Sequence, residues 1–122
     1  MFANEVAAYF LLVNHSDDTF EQEGIPVEEA HAHAQTFIDA MVELMPLLEE
    51  GMDAEELMTH FYDVGKTFYG KSNLRNFFRD IYLMLTGRPE GSRIGVMVEI
   101  FGVDEFKMRM VRRLSDPLGE IR

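Results

Sequence analysis

Apolar side chains recur every three or four residues from the start of the chain to residue 114, and this spacing constrains the fold more than any other feature. An α-helix has 3.6 residues per turn, so a series of this kind falls on one helical face that can be buried. No stretch alternates between apolar and polar residues for long, and no Asn-Gly hairpin signal occurs. The spacing predicts an all-α fold, a single compact bundle of about six helices.

Prolines and glycines divide the first part of the chain into helices. A short helix is predicted over residues 2–13, where Phe and Val side chains mark one face. A second helix is predicted with Pro26 in its first turn, where a missing amide donor does no harm. Pro46 should kink or restart this helix, since it cannot donate the backbone hydrogen bond. Gly51 then ends it.

Polar residues predict where the later helices begin. "DAEE" resembles a capping box, in which Asp53 accepts from first-turn amides and Glu56 follows three residues later. The other predicted caps are Ser72 or Asn73, Ser92, and Asp104.

The helix that follows Asn73 should bury an apolar stripe and end at Gly87. The stripe is predicted at Leu74, Phe78, Ile81 and Leu85, with support from Phe77 and Met84. Gly102 should end the next helix. Together with Gly91 and Gly95, these glycines are interpreted as helix stops or close-packing points.

Length and composition limit the class of protein. A chain of 122 residues is expected to form one domain around one core. It contains no cysteine, which excludes disulfides and thiolate metal sites. The N-terminal stretch lacks the features of a signal peptide, and no apolar run reaches the length of a membrane span. We therefore expect a cytoplasmic protein.

Charge is distributed very unevenly along the chain. Residues 1–65 contain fifteen acidic residues and no Lys or Arg, whereas residues 66–122 contain all eleven Lys and Arg and seven acidic residues. We therefore divide the single domain into an acidic half, 1–65, a basic half, 66–114, and a frayed tail, 115–122. The acidic half is interpreted mainly as solvated helix surface, and the basic half suits an anionic partner.

Histidines and carboxylates do not form a specific metal or catalytic pattern. His31 and His33 are two residues apart and point about 200° away from each other on a helix. The pairs Glu29–His33 and Glu56–His60 have i,i+4 spacing, but neither has a third ligand in register. The carboxylates are expected at capping and solvent-facing positions. We predict no metal, cofactor or catalytic apparatus in this chain.

Residues 62–105, from "YDVGK" to "FGVDE", carry a resemblance. They resemble the C-terminal helical domain of class I lysyl-tRNA synthetases and, more loosely, that of glutamyl-tRNA synthetases. The matching positions are Phe78, Ile81, Tyr82, Leu85, Gly87, Gly91, Arg93, Gly95 and Gly102. Ser92 stands where the family usually has proline. The clear match covers about a third of the chain and does not extend to residues 1–50.

The resemblance implies a helical domain that receives the anticodon end of a tRNA and serves lysine-tRNA aminoacylation. Class I synthetases activate the amino acid with ATP through "HIGH"-like and "KMSKS"-like motifs, and neither motif is present in this sequence. The chain is therefore expected to be non-catalytic alone, with tRNA as partner and a catalytic domain in cis.

The arginines of the basic half are the candidate RNA contacts. Arg75, Arg79, Tyr82 and Thr86 should share one helix face, because they are spaced by four, three and four residues. Arginine suits phosphate oxygens, and unpaired bases stack on aromatic or guanidinium planes. The predicted RNA-binding residues are Arg75, Arg79, Tyr82, Arg88, Arg93, Arg109, Arg112 and Arg113.

Three alternatives to RNA binding remain open. The arginines suit an ordinary polar helix face, and cations near a helix C-terminus are favoured by its dipole. The chain also fits a helical protein-interaction module whose acidic half binds a basic partner. An enzyme built from the His and Glu residues is the third possibility.

Overall fold

A computed structural model describes residues 27–88, 90–91 and 93–116, with side chains from residue 32 onward. This part of the chain consists of α-helices, short 3₁₀ turns and loops, and no strand occurs in it. The α-helices are α1 (Val27–Leu44), α2 (Ala54–Tyr69), α3 (Leu74–Thr86), α4 (Ile94–Phe101) and α5 (Val103–Ser115). The all-α prediction is confirmed with five helices, and the helix predicted over residues 2–13 lies outside the described residues. None of these helices is long and apolar enough to cross a membrane.

The break predicted at Pro46 is present. The α-helix ends at Leu44 and continues as a 3₁₀ turn, Met45–Leu47, that contains the proline. Gly51 follows with a φ of 95°, a backbone conformation that favours glycine and ends the helical path. The chain can then reverse direction, and α2 packs against α1.

The first turn of α2 is capped twice, and only one of the caps was predicted. Asp53 accepts a hydrogen bond from the Glu56 amide at 2.9 Å, as the capping-box pattern indicates. The Ala54 amide donates to the carboxylate of Glu99 at a distance of 2.6 Å, and Glu99 lies on α4. Two backbone donors at this helix start are therefore satisfied, one by a neighbour in sequence and one by another helix.

The prediction that Asp104 caps the last helix is wrong. The helix begins one residue earlier, at Val103, directly after Gly102, and no side chain of its own caps it. Gly102 has a φ of 99°, which lets α5 follow α4 almost without a loop. The Asp104 amide donates instead to the Glu50 carboxylate at 2.7 Å. A residue from the α1–α2 loop therefore caps the start of α5.

Of the other two predicted caps, the one before α3 makes no capping bond, and the one at Ser92 lies outside the described residues. Asn73 is at the expected position before α3, but its side-chain amide donates back to the Tyr69 carbonyl at 3.1 Å. Helix α4 begins after Arg93, which has no side-chain cap, and Ser92 lies outside the described residues.

Helix α2 is the centre of the bundle, because it packs against α1, α3 and α4, while α5 packs on α3 and α4. Phe61 of α2 contacts Phe106 of α5 edge to face, with ring centroids 5.8 Å apart. Each fully buried large apolar side chain contributes about 1.5–3 kcal/mol. The largest of them are Phe37, Met41, Leu44, Leu48, Leu57, Phe61, Phe77, Ile81, Met84, Ile94 and Met110.

The buried face of α3 differs from the predicted stripe. Phe77, Ile81 and Met84 are fully buried, whereas Leu74, Phe78 and Leu85 are only partly buried. The helix is therefore rotated toward Phe77, because α3 packs between α2 and α5. The same rotation buries Asp80, which leaves it only 4% exposed.

Two glycines allow helices to approach closely. A Cβ atom at Gly95 would lie 2.7 Å from the Ala54 carbonyl oxygen and 2.6 Å from Cγ of Met58. Gly95 is thus a close-packing point between α4 and α2, as predicted. Gly65, which the sequence did not single out, has the same role between α2 and α3, where a Cβ would meet the Leu74 and Phe77 side chains at 2.7 Å.

Candidate nucleic-acid interface

The eight predicted RNA-binding residues fall into two groups by exposure. The exposed ones are Arg75, Arg88, Arg93, Arg109 and Arg112. The half-buried ones are Arg79, Tyr82 and Arg113. The first group has charges exposed to a partner in solution, and in the second group Tyr82 and Arg113 also link elements of the bundle.

Helix geometry places the α3 residues as expected. Arg75, Arg79, Tyr82 and Thr86 lie within a narrow arc of α3. This arc is opposite the buried Phe77, and its exposed members are Arg75 and Thr86, while Arg79 and Tyr82 are half-buried. Arg75 is eleven residues before Thr86, about 16 Å along the helix at 1.5 Å per residue. The two ends of this face therefore meet different parts of any ligand.

Tyr82 holds the loop that follows α3. Gly91 packs directly on its ring, since a Cβ at Gly91 would lie 3.1 Å from two ring carbons. The Tyr82 hydroxyl also accepts a hydrogen bond from the backbone of Ile94, the first residue of α4. Burial raises the pKa of Tyr82. The hydrogen bond from Ile94 lowers it by a smaller amount, so the net pKa is raised. Tyr82 thus connects α3 to the start of α4.

The arginines of α5 share one side of that helix, and each has a different environment. Arg113 reaches across to α3 and donates through Nε to the Met84 carbonyl at 2.6 Å. Arg109 donates to the Glu105 carboxylate at 2.8 Å, and its guanidinium carbon lies 5.8 Å from the centroid of the Phe101 ring. Arg112 is exposed.

The C-terminal end of α3 is where the basic residues converge. A groove between α3, α4 and α5 is lined by Thr86 and Arg109, among other residues. The Thr86 hydroxyl accepts from the Arg88 amide at 3.2 Å, which places Arg88 beside the same groove. Arg113 joins α5 to this end of α3. The structure therefore brings Arg88, Arg109 and Arg113 together.

Arg93 lies in a separate groove, between α2 and the start of α4. Its neighbours there include Met58, Val96 and Tyr62, and Tyr62 is 40% exposed. The sequence reasoning missed Tyr62 and Phe101 as candidate contacts. An aromatic at a position that the helical period leaves exposed would have been the signal for Tyr62. Phe101 falls by that period on the same face as Ile94 and Val98 and was expected to point inward, but it is 61% exposed.

A buried polar cluster fixes α3 to the two preceding helices. Asp80 accepts a hydrogen bond from the Tyr69 hydroxyl at 2.6 Å and pairs with His33 Nε2 at 2.7 Å. The rings of His33 and Tyr69 meet edge to face, with centroids 5.8 Å apart. His33 belongs to α1, Tyr69 to α2 and Asp80 to α3. The expectation that the carboxylates sit only at caps or in solvent is therefore wrong for Asp80.

The cluster shifts the titration of its members. Burial lowers the pKa of His33, but the hydrogen bond and the charge of Asp80 together outweigh burial and the nearby Arg79, so the net pKa is raised. Burial, followed by the charge and hydrogen bond of Asp80, raises the pKa of Tyr69 and keeps its hydroxyl protonated. No group of three potential metal ligands occurs among the described residues.

The raised pKa of His33 predicts a pH-dependent stability. A histidine whose pKa is higher in the folded state stabilises that state fully below its unfolded value of 6.5. This contribution is lost as the pH rises through the folded-state pKa. We expect the free energy of unfolding, measured with urea, to fall between pH 6 and pH 8. His33→Gln keeps a donor for Asp80 but cannot titrate, so its stability should change less over that range. Equal pH dependence in both proteins would contradict a role for His33.

Comparison with known proteins gives one consistent result. The chain is 31% identical over 75 residues, 62% of its length, to the lysine–tRNA ligase of Rickettsia akari. It is 32% identical over 80 residues, 66% of its length, to the lysine–tRNA ligase of Rickettsia bellii. The chain spans only 14% of the length of these curated relatives. No protein-family model and no solved structure matches it. A large part of the chain is thus related to one segment of lysine–tRNA ligases.

Proposed function

We propose that this chain is a tRNA-binding domain of the kind found in class I lysyl-tRNA synthetases, and that it receives the anticodon end of lysine tRNA. Its role is to position that end while a catalytic domain in the same protein charges the tRNA with lysine. The chain does not catalyse this reaction by itself, because it has neither of the ATP-site motifs of that class. Residues 1–122 act as one domain in the cytoplasm.

One observation carries the proposal: the exposed arginines lie in and around α3, α4 and α5, and the chain has no Lys or Arg before Lys66. Acidic side chains predominate on the exposed surface of α1 and α2. The Debye length is about 8 Å at physiological salt, so the acidic side repels a polyanion only weakly across the bundle. The similarity to lysine–tRNA ligases supports RNA as the polyanion.

Removing two exposed arginines should weaken RNA binding and its salt dependence. Each phosphate contact on single-stranded RNA contributes about −0.7 to the slope of log affinity against log salt. We expect Arg88→Ala combined with Arg112→Ala to reduce the slope by about 1.4 and the affinity by about tenfold. Arg79 and Arg113 are unsuitable for this test because both are half-buried. The measurement is fluorescence anisotropy with a labelled anticodon stem-loop of lysine tRNA.

The matched control removes the same charge elsewhere. Lys66 and Lys71 are exposed and lie at the end of α2 and in the following 3₁₀ turn. The double variant Lys66→Ala and Lys71→Ala should lose less RNA affinity than the double variant Arg88→Ala and Arg112→Ala. Equal losses in the two double variants would mean that only net charge matters, and the proposed surface would be rejected.

A protein-interaction module is the second candidate, and the exposed apolar residues favour it. Ile100 is 73% exposed, Met108 59% and Val111 52%. Such side chains on α4 and α5 suit a protein contact. If the wild-type chain does not bind the stem-loop even at low salt, this candidate replaces RNA binding.

A further inference from the structure

The groove between α3, α4 and α5 combines an apolar floor with a charged rim. Its polar residues are Thr86 at the end of α3 and the ion pair of Glu105 and Arg109 on α5. It is a shallow groove of about 50 Å³ that is partly open to solvent, so a bound group would lie mainly on its rim. The apolar lining consists of Leu85, Met97, Val98, Phe101 and Phe106. A flat apolar group with an attached negative charge would match both parts of this groove.

Phe101 provides an aromatic surface at the edge of this groove. It is the last residue of α4 and is 61% exposed, which is unusual for a phenylalanine. The guanidinium carbon of Arg109 lies over one face of this ring, 5.8 Å from the centroid, and leaves the other face for stacking. Unpaired bases stack on aromatic rings and on guanidinium planes, and such stacking tolerates any base. Phe101 and Arg109 together offer both kinds of surface.

The charge of Arg109 is held by a partner that a phosphate could replace. Its Nε atom donates to Glu105 at 2.8 Å, and both side chains are well exposed. An exposed ion pair of this kind has a small net stability, so exchange of the carboxylate for a phosphate costs little. The backbone amide of Arg88 donates to Thr86 of the groove, so a second cationic residue follows directly after this end of α3.

We propose that this groove binds one unpaired nucleobase of the RNA, stacked on Phe101, and that Arg109 leaves Glu105 to pair with the adjoining phosphate. This inference rests on the proposed function. It assigns one unpaired base and its phosphate to the surface formed by α4 and α5. The neighbouring Arg113 donates to the Met84 carbonyl and so links α5 to α3, two of the helices that form the groove.

The stacking is tested with Phe101→Leu, which keeps an apolar side chain but removes the ring. We expect about tenfold weaker binding of the labelled lysine-tRNA anticodon stem-loop. Ile100→Ala is the matched control, because Ile100 is exposed on the same helix but does not line the groove. It should bind like the wild type. An equal loss in both variants would contradict stacking on Phe101.

Abasic RNA shows whether a base occupies the groove. We compare stem-loops that each have one abasic site at a different loop position. The stem-loop that lacks the stacked base should bind the wild type more weakly than the others. With that RNA, Phe101→Leu should cause no further loss. If Phe101→Leu weakens every abasic RNA equally, the ring does not contact a base and the inference is wrong.

The exchange of partners by Arg109 is tested with Glu105→Gln. Without the competing carboxylate, Arg109 should be free to pair with phosphate, and RNA binding should become about threefold tighter. Glu43→Gln on α1 makes the same change in net charge away from the groove and should have a smaller effect. Unchanged or weaker binding by Glu105→Gln would overturn the exchange.

The outcomes separate this inference from the proposed function. If the wild-type chain does not bind the stem-loop at all, the proposed function fails, and the groove inference fails with it. If the wild type binds and the arginine pair matters, but Phe101→Leu has no effect, only the groove inference fails. A change in self-association of Phe101→Leu, measured by sedimentation with RNA binding unchanged, would identify the groove as a contact between copies of the chain.

Discussion

Asp80→Ala is expected to lower the free energy of unfolding by about 3 kcal/mol, because truncating one partner of a buried charged pair leaves the others unsatisfied. Asp80 is 4% exposed and accepts hydrogen bonds from two different helices. Without it, the Tyr69 hydroxyl and the His33 ring lose their acceptor. A domain of this size should melt about 15 °C lower as a result. Thermal unfolding followed by circular dichroism measures the change.

Asp63→Ala is the control for this substitution. Asp63 is exposed on α2, and the hydrogen bond recorded for it uses its carbonyl oxygen and not its carboxylate. Its replacement should change stability by no more than about 0.5 kcal/mol. Asp80→Asn retains an acceptor and should lie between the two. If Asp80→Ala and Asp63→Ala have the same melting temperature, the cluster does not hold the three helices together.

Gly95→Ala is expected to destabilise the protein by about 2 kcal/mol, although alanine is the better helix former by about 1 kcal/mol. The new methyl group would approach the Ala54 carbonyl oxygen to 2.7 Å. A backbone atom cannot rotate away, so α2 and α4 must separate. Urea unfolding of the variant measures the loss. A gain in stability, as helix propensity alone predicts, would contradict the close approach.

Two further variants identify the source of the strain. Met58→Ala in the Gly95→Ala background removes the side-chain contact at 2.6 Å but leaves the backbone contact, so it should not restore stability. Gly65→Ala meets only the side chains of Leu74 and Phe77, and Leu74 is just half-buried and can shift. The Phe77 ring is fully buried and has less room to move, so Gly65→Ala should still destabilise the protein, but without a clash against the backbone.

Much of the helix layout follows from local sequence signals. Pro46, Gly51, Asp53 and Gly87 act within one or two turns of their own positions, so their effects do not depend on the rest of the fold. The apolar spacing likewise identifies α1, α2 and α5 because each has a single buried face.

The features that the sequence did not predict depend on tertiary contacts. The rotation of α3 toward Phe77 arises from its position between α2 and α5, and it is this rotation that buries Asp80. In the sequence, Asp80 looks like any other polar residue of an amphipathic helix. His33 and Tyr69 are 47 and 11 residues away from it along the chain, and no local pattern connects the three.

The same limit applies to the candidate interface. Spacing along one helix predicts that Arg75, Arg79 and Tyr82 share a face, since this is a property of the helix alone. Spacing does not distinguish the exposed Arg75 from the half-buried Arg79. Nor does it show that Arg93 and Arg109 lie in different grooves, because this depends on how α4 packs between its neighbours.

The caps supplied by Glu50 and Glu99 tie the early and late parts of the chain to each other. Glu50 follows α1 and completes the start of α5, 54 residues later, while Glu99 lies on α4 and completes the start of α2, 45 residues earlier. Each part thus holds an acceptor that the other requires. A chain divided anywhere between residues 54 and 98 leaves each fragment with one amide at a helix start, that of Ala54 or Asp104, without its carboxylate acceptor. Each fragment would therefore depend on the other for a hydrogen-bond acceptor at the start of one of its helices.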